Sequence, residues 1–503
     1  MPSGTPGLSA LTGGLSMVIT AMPSRVARVT GWVIRNLLRF HTARKQPQFL
    51  MIPRIATDRP AGRDAESTPS IGYAWWVVIA LTSVYTLSFV DRQILGLLVP
   101  SLKRDLGVSD TQIGLLQGLA FSLFYTLMGL PIGRLADRWN RRNLIVGGIL
   151  IWSFFTTMSS VAKSFALLFS TRIGVGVGEA SLSPAGYSMM SDYFPKQKLG
   201  AAISVFYMGV FIGSSLAMLV GGTTVDMLAR TPFVTVPVLG TMASWRLTFV
   251  IVGLPGVLFA LLAWTIREPV RRNLLASADG SAAQLSFGEG MAQIRMRWQS
   301  LAGISLAMVC QGMVTYGLLA WIPTFFQRVH HWSPGQSGRA LAAILLTFGC
   351  LGMYVGGRLS DYWQKRGVPE GPLKVAMISA VGILFLMPVA LVVPKPEWTL
   401  ALLAPALFFD ALAMGTSAAA LQHIFPNQVR GQVSALYLFI LNLGGGSLGP
   451  LLPGVFNDYL FHNPNMVGDS LAITIAIGAI GMLIATSATF RAYRTHYDMM
   501  KAA

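Results

Sequence analysis

Gly133-Arg134-Leu135-Ala136-Asp137-Arg138-Trp139-Asn140-Arg141-Arg142 is a charged, glycine-led run between two apolar stretches. Its opening returns 224 residues later as Gly357-Arg358-Leu359-Ser360-Asp361. The same offset aligns Ser109-Asp110-Thr111-Gln112-Ile113-Gly114 with Ser333-Pro334-Gly335-Gln336-Ser337-Gly338. At an offset of 231, Phe194-Pro195 followed by Gly200 aligns with Phe425-Pro426 followed by Gly431. Several matches in the same order mark an internal duplication. Two halves of one topology imply a central cavity between them and rocking of one half over the other.

Working outward, the chain of 503 residues is 53% apolar and only 12% charged. That is about half the charge of a soluble protein. The 52 glycines and 27 prolines sit inside long apolar runs, as membrane helices tolerate. About 20 apolar residues cross the hydrocarbon core as a helix. Twelve such runs centre on 73–99, 110–132, 143–162, 165–190, 199–222 and 246–266, then on 300–325, 337–357, 373–393, 398–421, 431–452 and 470–490. The fold class is therefore an all-α polytopic membrane protein with two pseudo-symmetric six-helix halves. The halves are 72–268 and 299–492, joined by a cytoplasmic linker at 269–298 and followed by a cytoplasmic tail at 493–503.

The net charge of +18 can mean nucleic acid binding, but the charges fall in short gaps between apolar runs. Gaps after even-numbered spans, with the C-terminal tail, hold 19 Lys and Arg. The N-terminal segment holds 9 and the gaps after odd-numbered spans hold 8. Both termini are thus expected in the cytoplasm, in a bacterial-type inner (plasma) membrane. Residues 1–71 read as a basic, weakly structured cytoplasmic segment. Within it, Arg25 to Phe40 could form a basic surface helix on anionic lipid, or Met51 could be the true start.

The run 133–142 resembles the loop 2–3 signature of the major facilitator superfamily, which usually carries glycine where Asn140 stands. The resemblance covers residues 73 to 492. It implies a cytoplasmic gate made by Gly133, Arg134, Asp137, Arg138, Arg358 and Asp361. Asp137 can bond to cations or a helix N-terminus on a neighbouring span and latch that face. Asn140 is expected to loosen the turn.

Ionisable residues inside a membrane are costly, so each is a site hypothesis. Asp91 and Arg92 interrupt span 1, Arg172 and Glu179 interrupt span 4, and Asp410 interrupts span 10. At 1.5 Å per residue, Asp91 lies roughly 24 Å up span 1, and Arg172 roughly 12 Å below the outer surface. Similar depth favours an Asp91–Arg172 pair, with Glu179 deeper on the same face of span 4. The alternative is a structural ion network that transports nothing. Asp410 falls on Glu179 at offset 231, so the two acids are expected to face each other across the pseudo-two-fold axis. At offset 224, Asp91 and Arg92 map to Thr315 and Tyr316. Tyr316, Trp321, Phe325 and Phe326 of span 7 suggest an aromatic C-half wall opposite a charged N-half wall. Such a cavity suits an amphipathic solute.

Phe89-Val90-Asp91-Arg92, with Arg172-x-Gly174-x-Gly176-x-Gly178-Glu179-Ala180, Phe194-Pro195 and Trp245-Arg246-x-x-Phe249, looks like the spinster-like branch of that superfamily. That resemblance implies lysophospholipid or sphingoid-phosphate transport, proposed to be proton-coupled. Asp91, Arg92, Arg172 and Glu179 would then form the proton-responsive site, with Asp410 added by the repeat. Implied partners are a small or lysolipid-like substrate, protons and membrane lipids, with no nucleic acid and a monomeric state.

Two alternatives stay open within the superfamily. Organic-anion symporters also use a buried arginine, and drug exporters usually carry Gly-Pro in span 5, where this chain has Gly209 and Gly213 without proline. An enzyme or sensor is disfavoured: the six histidines form no metal-ligand spacing, and no phosphate-binding G-x-x-x-x-G-K-[ST] is present. Cys310 and Cys350 lie in apolar runs and support neither a disulfide framework nor a metal site. No cofactor is expected.

Overall fold

The computed structural model describes residues 70–502 except 230, 232, 237–239 and 272–286. The expected basic helix at 25–40 and the choice between Met1 and Met51 lie outside the described residues. Twelve helices are long and apolar enough to cross a membrane. Those of the first half are Ile71–Leu106, Asp110–Arg138, Arg141–Val161, Phe165–Tyr193, Lys198–Leu228 and Ser244–Trp264. Those of the second are Trp298–Arg328, Pro334–Lys365, Gly371–Val392, Pro396–Ile424, Arg430–Leu460 and Pro464–Lys501. They are numbered here as spans 1 to 12. Every expected apolar run lies on one of them, and most helices continue a turn or more into the flanking charges.

Two smaller elements lie between spans. Phe233–Val236 pairs antiparallel with Gly240–Ala243 before span 6. A helix at Phe287–Met296 precedes span 7, and its Ile294 is buried in one cluster with span 11 residues such as Val433.

The duplication is visible in the caps. Ser109 accepts from the Gln112 amide while the Gln112 side chain accepts from Ser109 N, and Ser333 and Gln336 repeat this box at span 8. Each box satisfies two amide donors that a helix start leaves free. Span 11 carries a π turn at Asn442–Gly446. Span 5 has a π turn of its own at Ala217–Gly221, and along this stretch the repeat offset grows from 231 to 232.

Lipid tails are as apolar as leucine, so helix association in a membrane depends on close packing. Span 4 shows how its glycines provide this. A β-carbon on Gly174 would strike the Phe155 ring, on Gly176 the Phe121 carbonyl, and on Gly178 the Trp152 amide. Three glycines thus seat span 4 against spans 2 and 3 and fix the height of Glu179, the next residue.

The two ends of the bundle differ. At the end bearing Asp110 and Arg328, backbone meets backbone between the halves: Gly96 lies against the Ala320 carbonyl, Gly114 against Pro450 and Gly338 against Met218. Thr324 also donates to the Gly96 carbonyl at 3.1 Å. At the opposite end a β-carbon on Gly133, Gly200, Gly357 or Gly431 would meet nothing within 4 Å. The halves are therefore sealed at one end and parted at the other.

Candidate functional site

Between the halves lies a cavity of about 650 Å³, counting its mouth. Span 1 brings Tyr85 and Arg92, span 2 Tyr125, span 4 Ser183 and Tyr187, and span 5 Tyr207 and Val210. The second half adds Met308, Gln311, Gly312, Thr315, Tyr316, Met414, Tyr437, Leu438, Leu441 and Asn442.

Arg92 is the cation on this wall. Its Nε and Nη2 both donate to Glu179 Oε2, at 2.8 and 2.5 Å. The guanidinium carbon lies 4.7 Å from the Phe89 ring centre, 4.1 Å from Phe121 and 5.2 Å from Tyr125. Aromatic faces stabilise a cation stripped of water. The carboxylate supplies the opposite charge, so the pair enters the bundle nearly neutral.

The expected Asp91–Arg172 ion pair is absent among the described residues. Asp91 is 1% exposed and accepts from Thr156 Oγ1 at 3.2 Å. Arg172 is 2% exposed and donates from Nη2 to Ser159 Oγ at 2.9 Å, with Phe249 5.3 Å from its guanidinium carbon. Each lies within the other's electrostatic reach. Both bond within one turn of span 3, at Thr156 and Ser159, but Asp91 and Arg92 point about 100° apart on one helix. It is Arg92 that meets Glu179. The last turns of span 3, through Thr156 and Ser159, hold Asp91 and Arg172 apart.

Glu179 and Asp410 do not face each other directly. Each turns to the first helix of its own half. Asp410, fully buried, accepts from Thr315 Oγ1 at 2.8 and 3.0 Å and from Gln311 Nε2 at 3.3 Å. Gln311 also donates to the Asp410 carbonyl. The repeat holds, since Thr315 occupies the position of Asp91, but no cation enters the second network.

The aromatic wall also departs from expectation. Trp321 does not line the cavity. It is fully buried and its Nε1 donates to the Pro450 carbonyl at 2.7 Å. Five residues beyond Tyr316, it lies roughly 7.5 Å further along span 7 and on another face. Phe325 and Phe326 are buried beside His330. Tyrosines take their place, and four of the six lie on the charged N-half wall. The Tyr125 and Ser183 hydroxyls are 3.0 Å apart.

The expected gate residues sit at the parted end. Arg134, Asp137, Arg138, Arg358 and Asp361 are exposed. Arg271, a linker cation outside the expected gate set, donates to the carbonyls of Ala136, Asp137 and Trp139 and closes the end of span 2. Asn140 does not loosen the turn: its side chain accepts from Asn143 N at 3.0 Å and caps span 3. The Trp245-Arg246 pair has a role as well. Both side chains donate to Asp105 Oδ2, at 3.1 and 2.9 Å, tying span 6 to the end of span 1.

Comparison with known proteins matches the Major Facilitator Superfamily over residues 81–450. The chain belongs to this superfamily. A solved bacterial homolog of the human lysosomal transporter Spinster, inward-facing and unoccupied, aligns with a TM-score of 0.62 at 27% identity, over 86% of this chain and 98% of that one. An MFS-type efflux pump of Mycolicibacterium smegmatis is 28% identical over 82% of this chain and 93% of its own. A probable L-galactonate transporter of Escherichia coli is also 28% identical, over 82% and 90%. Protein spinster of Drosophila melanogaster is 25% identical over 78% of this chain and 64% of its own length. This major facilitator protein is thus an integral, multi-pass membrane transporter that resembles the spinster branch.

Proposed function

We propose that this protein is a proton-coupled secondary transporter that moves an amphipathic anion by alternating access. The observation that carries the reading is the Arg92–Glu179 pair on the cavity wall. Both arginine bonds use Nε and Nη2, which leaves Nη1 for a ligand. An anion at Nη1 adds a negative charge to a balanced pair in a medium that penalises net charge. A proton on Glu179 restores the balance. Anion and proton therefore favour each other's binding, by equal factors in both directions. The two then travel the same way. Asp91 and Arg172, buried and unpaired behind this pair, form the two-state element that protonation biases.

Met308, Met414, Leu438 and Leu441 supply apolar surface opposite the arginine, as an amphipathic, lipid-like anion requires. Asp410 orients Gln311 and Thr315 on that wall. The basic residues at the parted end orient the chain, with both termini cytoplasmic in a bacterial-type inner membrane. The cavity then opens inward. The halves 72–268 and 299–492, the cytoplasmic linker 269–298 and action as a monomer belong to the same reading.

A second reading rests on the tyrosine hydroxyls with Gln311 and Asn442. That lining also suits a hydroxylated organic acid, the cargo class named for the Escherichia coli relative.

The test is proton-gradient-driven uptake into proteoliposomes of a labelled lysophospholipid and a labelled sugar acid in parallel. Gradient-driven lipid movement supports the first reading. Sugar acid movement alone transfers the site to the second. Neither cargo responding to the gradient overturns the coupling.

A further inference from the structure

The capping boxes of spans 2 and 8 leave the second-position amides Thr111 N and Gly335 N without an intrahelical partner. In both cases the opposite half supplies the acceptor. Asp458, near the end of span 11, accepts from Thr111 N at 2.7 Å. Asp226, near the end of span 5, accepts from Gly335 N at 2.9 Å and from Ser333 Oγ at 2.8 Å.

The two contacts are one contact duplicated. Thr111 and Gly335 are 224 residues apart, and Asp226 and Asp458 are 232 apart. Glycine seats repeat at the same offsets. Gly454 abuts the Asp110 carbonyl as Gly222 abuts that of Pro334. Gly114 abuts the Pro450 carbonyl as Gly338 abuts that of Met218. Each seat brings the carboxylate onto the helix start, where the peptide dipole favours negative charge.

The symmetry then breaks at the first helical position. Asp110, fully buried, binds Lys103 at 2.7 Å, Asn457 at 3.0 Å and Arg328 at 2.6 and 2.8 Å. Its repeat counterpart is Pro334, which offers no side-chain acceptor.

We propose that Asp226 and Asp458 are exchanged helix caps that form a paired latch at the sealed end. Each half caps a helix of the other, so neither bond survives parting of that end. Freed amides and carboxylates are rehydrated on opening, which makes each cap a modest and reversible bias. The Asp110 cluster adds a one-sided ionic contribution. The proposal rests on the alternating-access reading, but not on cargo or proton coupling.

Spin labels would be placed at Lys163→Cys and Lys395→Cys, exposed positions in the loops after spans 3 and 9, in a Cys310→Ser/Cys350→Ser background. Pulsed distance measurement in lipid nanodiscs reads the ratio of parted to sealed forms without any substrate. Asp226→Ala and Asp458→Ala should each raise that ratio about fivefold, the effect of losing one helix cap. The double variant should raise it roughly 25-fold, as independent sites add. An unchanged distribution in the double variant overturns the latch. If the alanine pair does not fold, the single alanine variants decide, and an unchanged distribution in both overturns the proposal. Absence of proton-driven flux would sink the coupling while leaving these distances to be read.

Discussion

Arg92 directs two of its nitrogens to a single oxygen of Glu179, across spans 1 and 4, at 2.8 and 2.5 Å. The pair is both the cavity's cation and its counter-charge, so removing the carboxylate should leave the cation in place and end the exchange with protons.

Glu179→Gln should fold, because glutamine can still accept from Arg92. It should lose gradient-driven transport by at least tenfold while retaining energy-independent exchange. Asp410→Asn should keep the gradient response, since its partners Gln311 and Thr315 are neutral, and should raise KM only a few-fold. Counterflow and gradient-driven uptake on the same vesicles separate the two. Equal losses in both variants would contradict the asymmetry.

Tyrosine hydroxyls at Tyr85, Tyr125, Tyr187 and Tyr207 line one wall. A hydroxylated ligand that bonds to them loses about 0.5–1.5 kcal/mol per missing bond. Tyr125→Phe and Tyr207→Phe should therefore raise KM for a sugar acid up to about tenfold. A lysolipid, held by apolar contact and Arg92, should change little. Equilibrium binding to purified variants checks this.

Gly176→Val should disable the protein. The Phe121 carbonyl lies where the new β-carbon would stand, so spans 2 and 4 must separate. Overpacking of this kind costs about 1–3 kcal/mol, and the displacement pulls Glu179 from Arg92. A lower melting temperature with transport lost is the expected result. An unaltered melt would show that the span 2–span 4 contact yields freely.

His330 lies in the loop after span 7, packed on Phe325 and Phe326, and burial holds its imidazole below the ordinary value. The folded state thus resists protonation more than the unfolded chain does. Stability should fall as pH drops through the ordinary imidazole range near about 6.5 and below, and should be unaffected above it. Melting curves at pH 7.5 and pH 5 should show a smaller acid loss in His330→Asn than in the parent.

The fold was legible because independent signals agreed: run length, charge bias between gaps, and a repeat anchored on Gly133 and Gly357. The buried charges were legible too, since Asp91, Arg92, Arg172, Glu179 and Asp410 stand out in apolar runs. Their partners were not. Height along a helix follows from counting, but azimuth depends on how spans 1, 3 and 4 pack, and that is set by glycines and ring contacts distant in sequence. Tyr316 lines the cavity as expected, but the other five cavity tyrosines escaped notice for a related reason. A tyrosine facing lipid and one facing a cavity look alike in an apolar run, whereas the bulkier Trp321 drew attention and proved to be packing. Asp226 and Asp458 sit at helix ends, where an acid ordinarily needs no explanation.

Trp321 gives the molecule an optical property of its own. Its indole is dry, bonded to span 11, and 5.9 Å from the guanidinium carbon of Arg328, whose other contacts reach across to Asp110. Parting of that end would admit water and withdraw a neighbouring charge together. Both changes alter indole emission, so a chain retaining Trp321 as its sole tryptophan would report its own conformational cycle by fluorescence, without an attached dye.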